Sequence, residues 1–199
     1  MKIRRAAKAD MTFTSDSKGK DMTTAKAATS GTAAAAATSS EFVITRVFDA
    51  PRELVWQAFT EPERMQHWWG PKGFTVIASK MDLRPGGIYH YGMRALDGST
   101  MWGKFVYREI VRPERIVLVN SFSDEAGNIT RHPMSATWPL QMLSTFLFAE
   151  QDGRTRLTIR WSPLDADETE RATFAGAHQN MQQGWTGTLD RLAEYLANA

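Results

Sequence analysis

The chain contains no cysteine, which excludes disulfides, thiolate nucleophiles and zinc-thiolate centres together and fits a reducing compartment. Histidine is scarce. The four stand at His67, His90, His132 and His178, in no HxH or HExxH arrangement, so no metal centre is expected. GxSxG and glycine-rich phosphate-loop patterns are missing as well, leaving no activated serine and no nucleotide cradle. Nowhere do about eighteen apolar residues run together, so no membrane-spanning helix is expected.

Aromatic residues are nearly missing from the first forty positions, where Phe13 stands alone and the segment ends in GTAAAAATSS. So little apolar surface cannot offset chain entropy, and residues 1–40 are expected to form a disordered low-complexity tail. The basic balance belongs to that tail: it holds seven basic and three acidic residues, net +4, whereas residues 41–199 hold seventeen basic and nineteen acidic, net −2. No Lys/Arg stripe with interleaved aromatics appears in the second part, so nucleic acid is not an expected partner. MKIRRAAKAD has the charged start of a secretory signal, but no apolar run follows it, and the expected location is the cytoplasm.

From Glu41 onward apolar anchors recur in every block, enough for one domain over 41–199. EFVITRVF (41–48) alternates and reads as a strand. Pro51 at a first helical position, with Leu54, Val55, Ala58 and Phe59 at helical spacing, predicts a short helix. Thr60 with Glu63 makes a capping-box pattern, predicting a second short helix that stops at Gly70-Pro71. The period then drops to two. Six strands are predicted, FTVIASKMDL, IYHYGMRA, MWGKFVYREI, RIVLVNSF, LQMLSTFLFAE and RTRLTIRWS, separated by turn signals such as Arg84-Pro85-Gly86-Gly87 and Asp152-Gly153. A last helix is predicted to open at a capping box over Asp165–Glu168 and to run unbroken to Ala199. Its apolar stripe is Phe174, His178, Met181, Trp185, Leu189, Leu192 and Leu196. The fold class is therefore α+β, a curved antiparallel sheet of about seven strands with two short helices after the first strand and a long C-terminal helix.

This order, together with VWQAFTEPERMQHWWGP (55–71), DLRPGG (82–87), GKFVYREIVRPERIV (103–117) and MQQGWTGTLDRLAEYL (181–196), resembles the SRPBCC superfamily, the START-like or helix-grip fold. Within it the sequence is similar to the heat-shock protein 90 ATPase activator homologue family. The resemblance spans about residues 42–196 and implies a sheet wrapped around the C-terminal helix, with an elongated apolar cavity between them. It implies fold more firmly than function, because members include ligand carriers, chaperone regulators and cyclases.

In such a fold MQHWWGP (65–71) would lie at the sheet's edge and the cavity mouth. Adjacent helical residues point about 100° apart, so one of Trp68 and Trp69 would pack inward and the other cover the rim. In IYHYGM, Tyr89, Tyr91 and Met93 share one face, inward by the resemblance, and His90 the other. The polar atoms left inside would be the tyrosine hydroxyls, Glu109 and His178. The candidate cavity residues are Trp69, Tyr89, Tyr91, Met93, Phe105, His178, Met181 and Trp185. No catalytic residue, metal ligand or cofactor is expected. Three readings stand: a module binding a small apolar ligand, a chaperone-regulating module, and a cavity enzyme of cyclase or isomerase type using His178 or the tyrosines.

Overall fold

The computed structural model describes residues 41–199; the expected tail over 1–40 lies outside the described residues. Strand β1 (Phe42–Phe48) buries Phe42, Ile44 and Phe48 and turns Val43, Thr45 and Val47 outward, as alternation requires of a half-covered strand. Helices α1 (Arg52–Thr60) and α2 (Pro62–Trp68) follow. Pro51 is the N-cap of α1 rather than its first residue, and its carbonyl accepts from the Leu54 and Val55 amides at 3.0 and 3.2 Å.

The capping box expected at Thr60 and Glu63 does not form. Thr60 is still the last turn of α1, where its hydroxyl donates to the Trp56 carbonyl at 2.9 Å. Instead α2 starts from Glu61 with Pro62 in its first turn, where the fixed φ of proline suits a helix and its missing N–H costs nothing.

The sheet is built from β2 (Phe74–Met81), β3 (Ile88–Ala95), β4 (Thr100–Val111), β5 (Arg115–Ser123), the two-residue β6 (Ile129–Thr130), β7 (Gln141–Gln151) and β8 (Arg154–Leu164). Its order is β1-β8-β7-β5-β4-β3-β2, with every named pairing antiparallel and β6 added to β5. The β2–β3 connection turns at Arg84-Pro85-Gly86-Gly87, with Gly86 at φ +79° and the Gly87 amide donating to the Arg84 carbonyl at 2.8 Å. That is a type II turn, and it needs glycine at its third position.

The C-terminal helix is two helices, α3 (Glu168–Gly176) and α4 (His178–Leu196), broken at Ala177. The capping box also sits two residues later than its pattern suggested, on Asp167 and Glu170. Asp165 cannot cap because its φ is +50°, whereas Asp167 has the extended backbone a cap residue requires. Phe174 of α3 and Met181, Trp185, Leu189, Leu192 and Leu196 of α4 are buried in one core with the inner face of the sheet. Helix α4 packs against β1, α1 and α2 and stands away from the middle strands. Among the described residues no helix is long and apolar enough to cross a membrane.

Candidate functional site

Side chains alternate along β3, β4 and β5, with one register shift between Tyr107 and Glu109, and the ladder puts Tyr91, Met93, Phe105 and Asn120 on the inner face toward α4. Tyr91 pairs across the ladder with Gly103. Its ring lies over that glycine so closely that a Cβ there would come within 2.4 Å of it, so Gly103 is what lets the tyrosine lie down as a floor. Above this floor the helix supplies Met181, Gly184, Trp185 and Thr188, and the segment after α2 supplies Trp69, Gly70 and Pro71. A fourth wall is the loop between β6 and β7, with His132, Met134, Ser135 and Trp138. Between them lies a partly open cavity of about 500 Å³.

Trp69 is the ring that joins these walls. It meets Tyr91, Phe105 and Trp185 edge to face, with centroids 5.7, 5.5 and 5.9 Å away, the geometry aromatic quadrupoles favour. Both tryptophans of the motif are buried, so neither merely covers a rim. Trp68 belongs to the fold: its indole N–H donates to the Ala58 carbonyl at 3.0 Å and its ring packs on Phe59. Trp69 belongs to the cavity wall. Gly70 follows at φ +97°, against the Met93 sulfur, where a Cβ would stand 2.5 Å from it. His67 stacks on Tyr195. One guanidinium fixes the whole segment: Arg191 Nη1 donates to the carbonyls of Trp69, Gly70, Pro71 and Phe74, and Nη2 to that of His67.

Six of the eight candidate residues surround the cavity: Trp69, Tyr91, Met93, Phe105, Met181 and Trp185. Tyr89 and His178 do not line it. Tyr89 is stacked beneath Tyr91 with centroids 5.1 Å apart, and burial pushes its hydroxyl up to about 12. His178 starts α4, where the helix break turns it against the edges of Phe42 and Phe174, and its Nε2 is buried without a partner. Glu109 is not inside either; it is exposed and paired with Arg115.

Burial raises the Tyr91 hydroxyl well above the ordinary tyrosine range, with Tyr89 adding to the rise. The Trp69 indole N–H opposes that rise but does not reach Tyr91 in normal hydrogen-bond geometry. His132 is held below the usual imidazole value by burial, and its Nδ1 accepts the Met134 amide at 3.0 Å, which leaves the proton on Nε2. Among the described residues no Lys, Arg, Asp or Glu lines the cavity. Among the described residues no group of three or more His, Cys, Asp or Glu comes together as a metal site.

Over residues 49–197 the chain matches the family described as Activator of Hsp90 ATPase homolog 1-like protein. The chain belongs to this family. Solved structures share the fold. A Mycobacterium smegmatis protein is similar at 24% identity and TM-score 0.63, covering 78% of this chain and 90% of its own. A Chromobacterium violaceum protein is 26% identical at TM-score 0.61, with 79% and 96% covered. An Arthrobacter aurescens protein reaches TM-score 0.66 at 23% identity, with 80% and 87% covered. No curated protein matches the chain.

For this member of the family, sequence reasoning missed Asn120, Trp138, Met142 and Trp161 as cavity residues. Three of them were within reach. Asn120 continues the alternation of Ile116 and Leu118, Met142 that of Ser144 and Phe146, and Trp161 that of Leu157 and Ile159. Trp138 lies in an aperiodic loop and had no such signal.

Proposed function

We propose that the domain binds a small, largely apolar molecule between the middle strands and α4. One observation carries this reading: a cavity of about 500 Å³ whose walls are mainly tryptophan, tyrosine, phenylalanine and methionine and, among the described residues, hold no Lys, Arg, Asp or Glu. That volume falls within the roughly 300–1,000 Å³ typical of small-molecule sites, and the lining has the apolar bias such sites share. The family's description also suggests a chaperone as partner, and the cavity-enzyme reading would need an acid or base at the ligand. Neither draws on a feature as specific as the cavity.

Gly184 supplies the test. It lies on the cavity side of α4, and a Cβ added there meets no atom within 4 Å. Gly184→Leu therefore starts in open space at its Cβ and carries its branch toward the cavity, and replacing a mid-helix glycine adds about 0.5–1 kcal/mol of helix stability. The parent chain should bind Nile red with saturation, and Gly184→Leu should keep its melting temperature while binding the dye at least about tenfold more weakly, equivalent to about 1.4 kcal/mol. Equal dye binding by a folded Gly184→Leu protein would remove the cavity from consideration as the site.

A further inference from the structure

We propose that a concavity on the outer face of β2, β3 and β4 binds the phosphate group of a small soluble phosphomonoester. This site is separate from the inner cavity and does not depend on how that cavity is read. Lys80, Asp82, Arg84, Ile88, His90 and Lys104 line it, together with the glycines of two turns, and its volume is about 380 Å³.

Lysine is rare in this domain. Residues 41–199 hold fourteen arginines and three lysines, and among the described residues eight arginines form ion pairs whereas no lysine does. Two of the three lysines line this one concavity. The ladder puts them there: Lys80 pairs with His90, and His90 with Lys104, so the three form a row across the strands on the face opposite Tyr89 and Tyr91. The lysine Cα atoms stand two strand spacings apart, roughly 10 Å, a gap that two flexible four-carbon stems can close around one anion.

The neighbours of this row are fixed. The His90 ring stacks on Trp102 with centroids 5.1 Å apart, and its Nε2 donates to the Asp124 carbonyl at 3.1 Å. Lys104 Nζ donates to the Gly127 carbonyl at 2.9 Å, which uses one of its three N–H groups and seats the β5–β6 hairpin as one wall. The other wall is the turn Arg84-Pro85-Gly86-Gly87. Its Gly86 and Gly87 amides already donate to the Tyr107 and Arg84 carbonyls, each at 2.8 Å, so side chains rather than the main chain must hold the ligand.

Charge selects that ligand. Lys80, Arg84 and Lys104 face a single carboxylate in the concavity, Asp82, which pairs with Arg84 at 2.9 Å. Asp124, at the edge of the hairpin wall, is met instead by the backbone and side-chain amides of Asn128, both at 2.8 Å. The two lysine charges are left without a partner, and a phosphomonoester carries nearly two negative charges at pH 7. Lysine suits it as a point-charge phosphate ligand. Ile88 and Ala126 give the body of the ester an apolar side to lie against.

Phenyl phosphate, titrated into the full chain and followed by amide NMR shifts, tests this, with benzoate and chloride as comparison anions. Saturable shifts should centre on His90, Lys104 and Gly127, and phenyl phosphate should bind about tenfold tighter than the singly charged benzoate. Lys80 is exposed, so Lys80→Gln leaves the fold alone, and Lys104→Gln keeps an amide donor for the Gly127 carbonyl. Each should weaken phenyl phosphate about tenfold, as loss of a charge-assisted hydrogen bond does. Lys72→Gln, at the third lysine and outside the concavity, should leave binding unchanged. The absence of saturable shifts, shifts confined to the inner cavity, or equal weakening by Lys72→Gln would overturn the site. Equal affinity for benzoate, or the same shifts from chloride, would overturn its choice of phosphate. Binding to vesicles containing phosphatidic acid without binding of the free ester would overturn the assignment to a small soluble molecule.

Discussion

Arg191 shows how much one side chain can organise. Its guanidinium donates to five backbone carbonyls, from 2.9 Å at Gly70 to 3.3 Å at His67. Those of His67 and Trp69 lie at the C-terminal end of α2, where carbonyls lack partners within the helix and carry its negative end. The arginine is thus a cap supplied from a different helix, and it holds Trp69 and Gly70 at the cavity wall. Partial burial lowers its pKa, with Glu194 acting the other way; the guanidinium stays charged. Arg191→Met keeps the aliphatic stem and removes the donors, so it should cost roughly 1.5–3 kcal/mol in urea unfolding, the range for hydrogen bonds to a charged group. Arg191→Lys should recover only part, because an ammonium cannot fork across several carbonyls. Identical stability of parent and Arg191→Met would show that water replaces the guanidinium without loss. Nothing in the sequence marked this residue. Its partners are main-chain atoms, which leave no pattern in the side-chain alphabet.

Elements were legible wherever a period ran through them. The stripe from Phe174 to Leu196 predicted the buried face of the last helix, and alternation put Tyr89, Tyr91 and Met93 on one face, which the family resemblance made the inner one, because burial on one side imposes its spacing on the sequence. The break at Ala177 was not legible, since no proline marks it and the helical spacing continues across it. Equally silent was the loop that closes the cavity. Arg131 pairs with Glu170 of α3 and donates to the Trp138 carbonyl at 3.1 Å, while Thr173 of α3 and Thr137 share a hydrogen bond of 2.9 Å. Glu170 also accepts from the Asp167 amide in the capping box, so the first turn of α3 anchors one wall of the cavity. Glu170→Gln keeps an acceptor for the box but gives up the charge facing Arg131. Half of this ion pair is exposed, so global stability should change by less than about 1 kcal/mol. Amide hydrogen exchange over residues 131–138 should accelerate several-fold, as expected of local opening. Unchanged exchange there would mean that the threonine contacts and the ring packing of Trp138 on Phe174 hold the loop alone.

At the scale of the whole molecule, the domain keeps three tyrosine hydroxyls in its interior, and together they set its behaviour in alkali. Burial raises Tyr89 to about 12. It raises Tyr91 and Tyr107 further, each with Tyr89 as a second cause. In the unfolded chain a tyrosine loses its proton near pH 10. Above that value the native state therefore holds more protons than the unfolded state, and stability falls as pH rises. The contribution of the three groups is fully present below about pH 10 and is lost from there through the folded pKa values, beginning with Tyr89 near 12. Each group adds a slope of about 1.4 kcal/mol per pH unit, so three acting together approach roughly 4. A domain of ordinary stability, about 5–15 kcal/mol, should then unfold cooperatively within a few pH units. Tyrosinate absorbance from these residues should appear together with the loss of near-ultraviolet circular dichroism. Tyr89→Phe should make the fall shallower by one group's share, because the hydrogen bond its hydroxyl accepts from Ser79 is a long one, 3.5 Å. If instead all the tyrosines ionise reversibly near pH 10 with the fold intact, water reaches the hydroxyls freely, and the inner face of the sheet is wetter than its packing indicates.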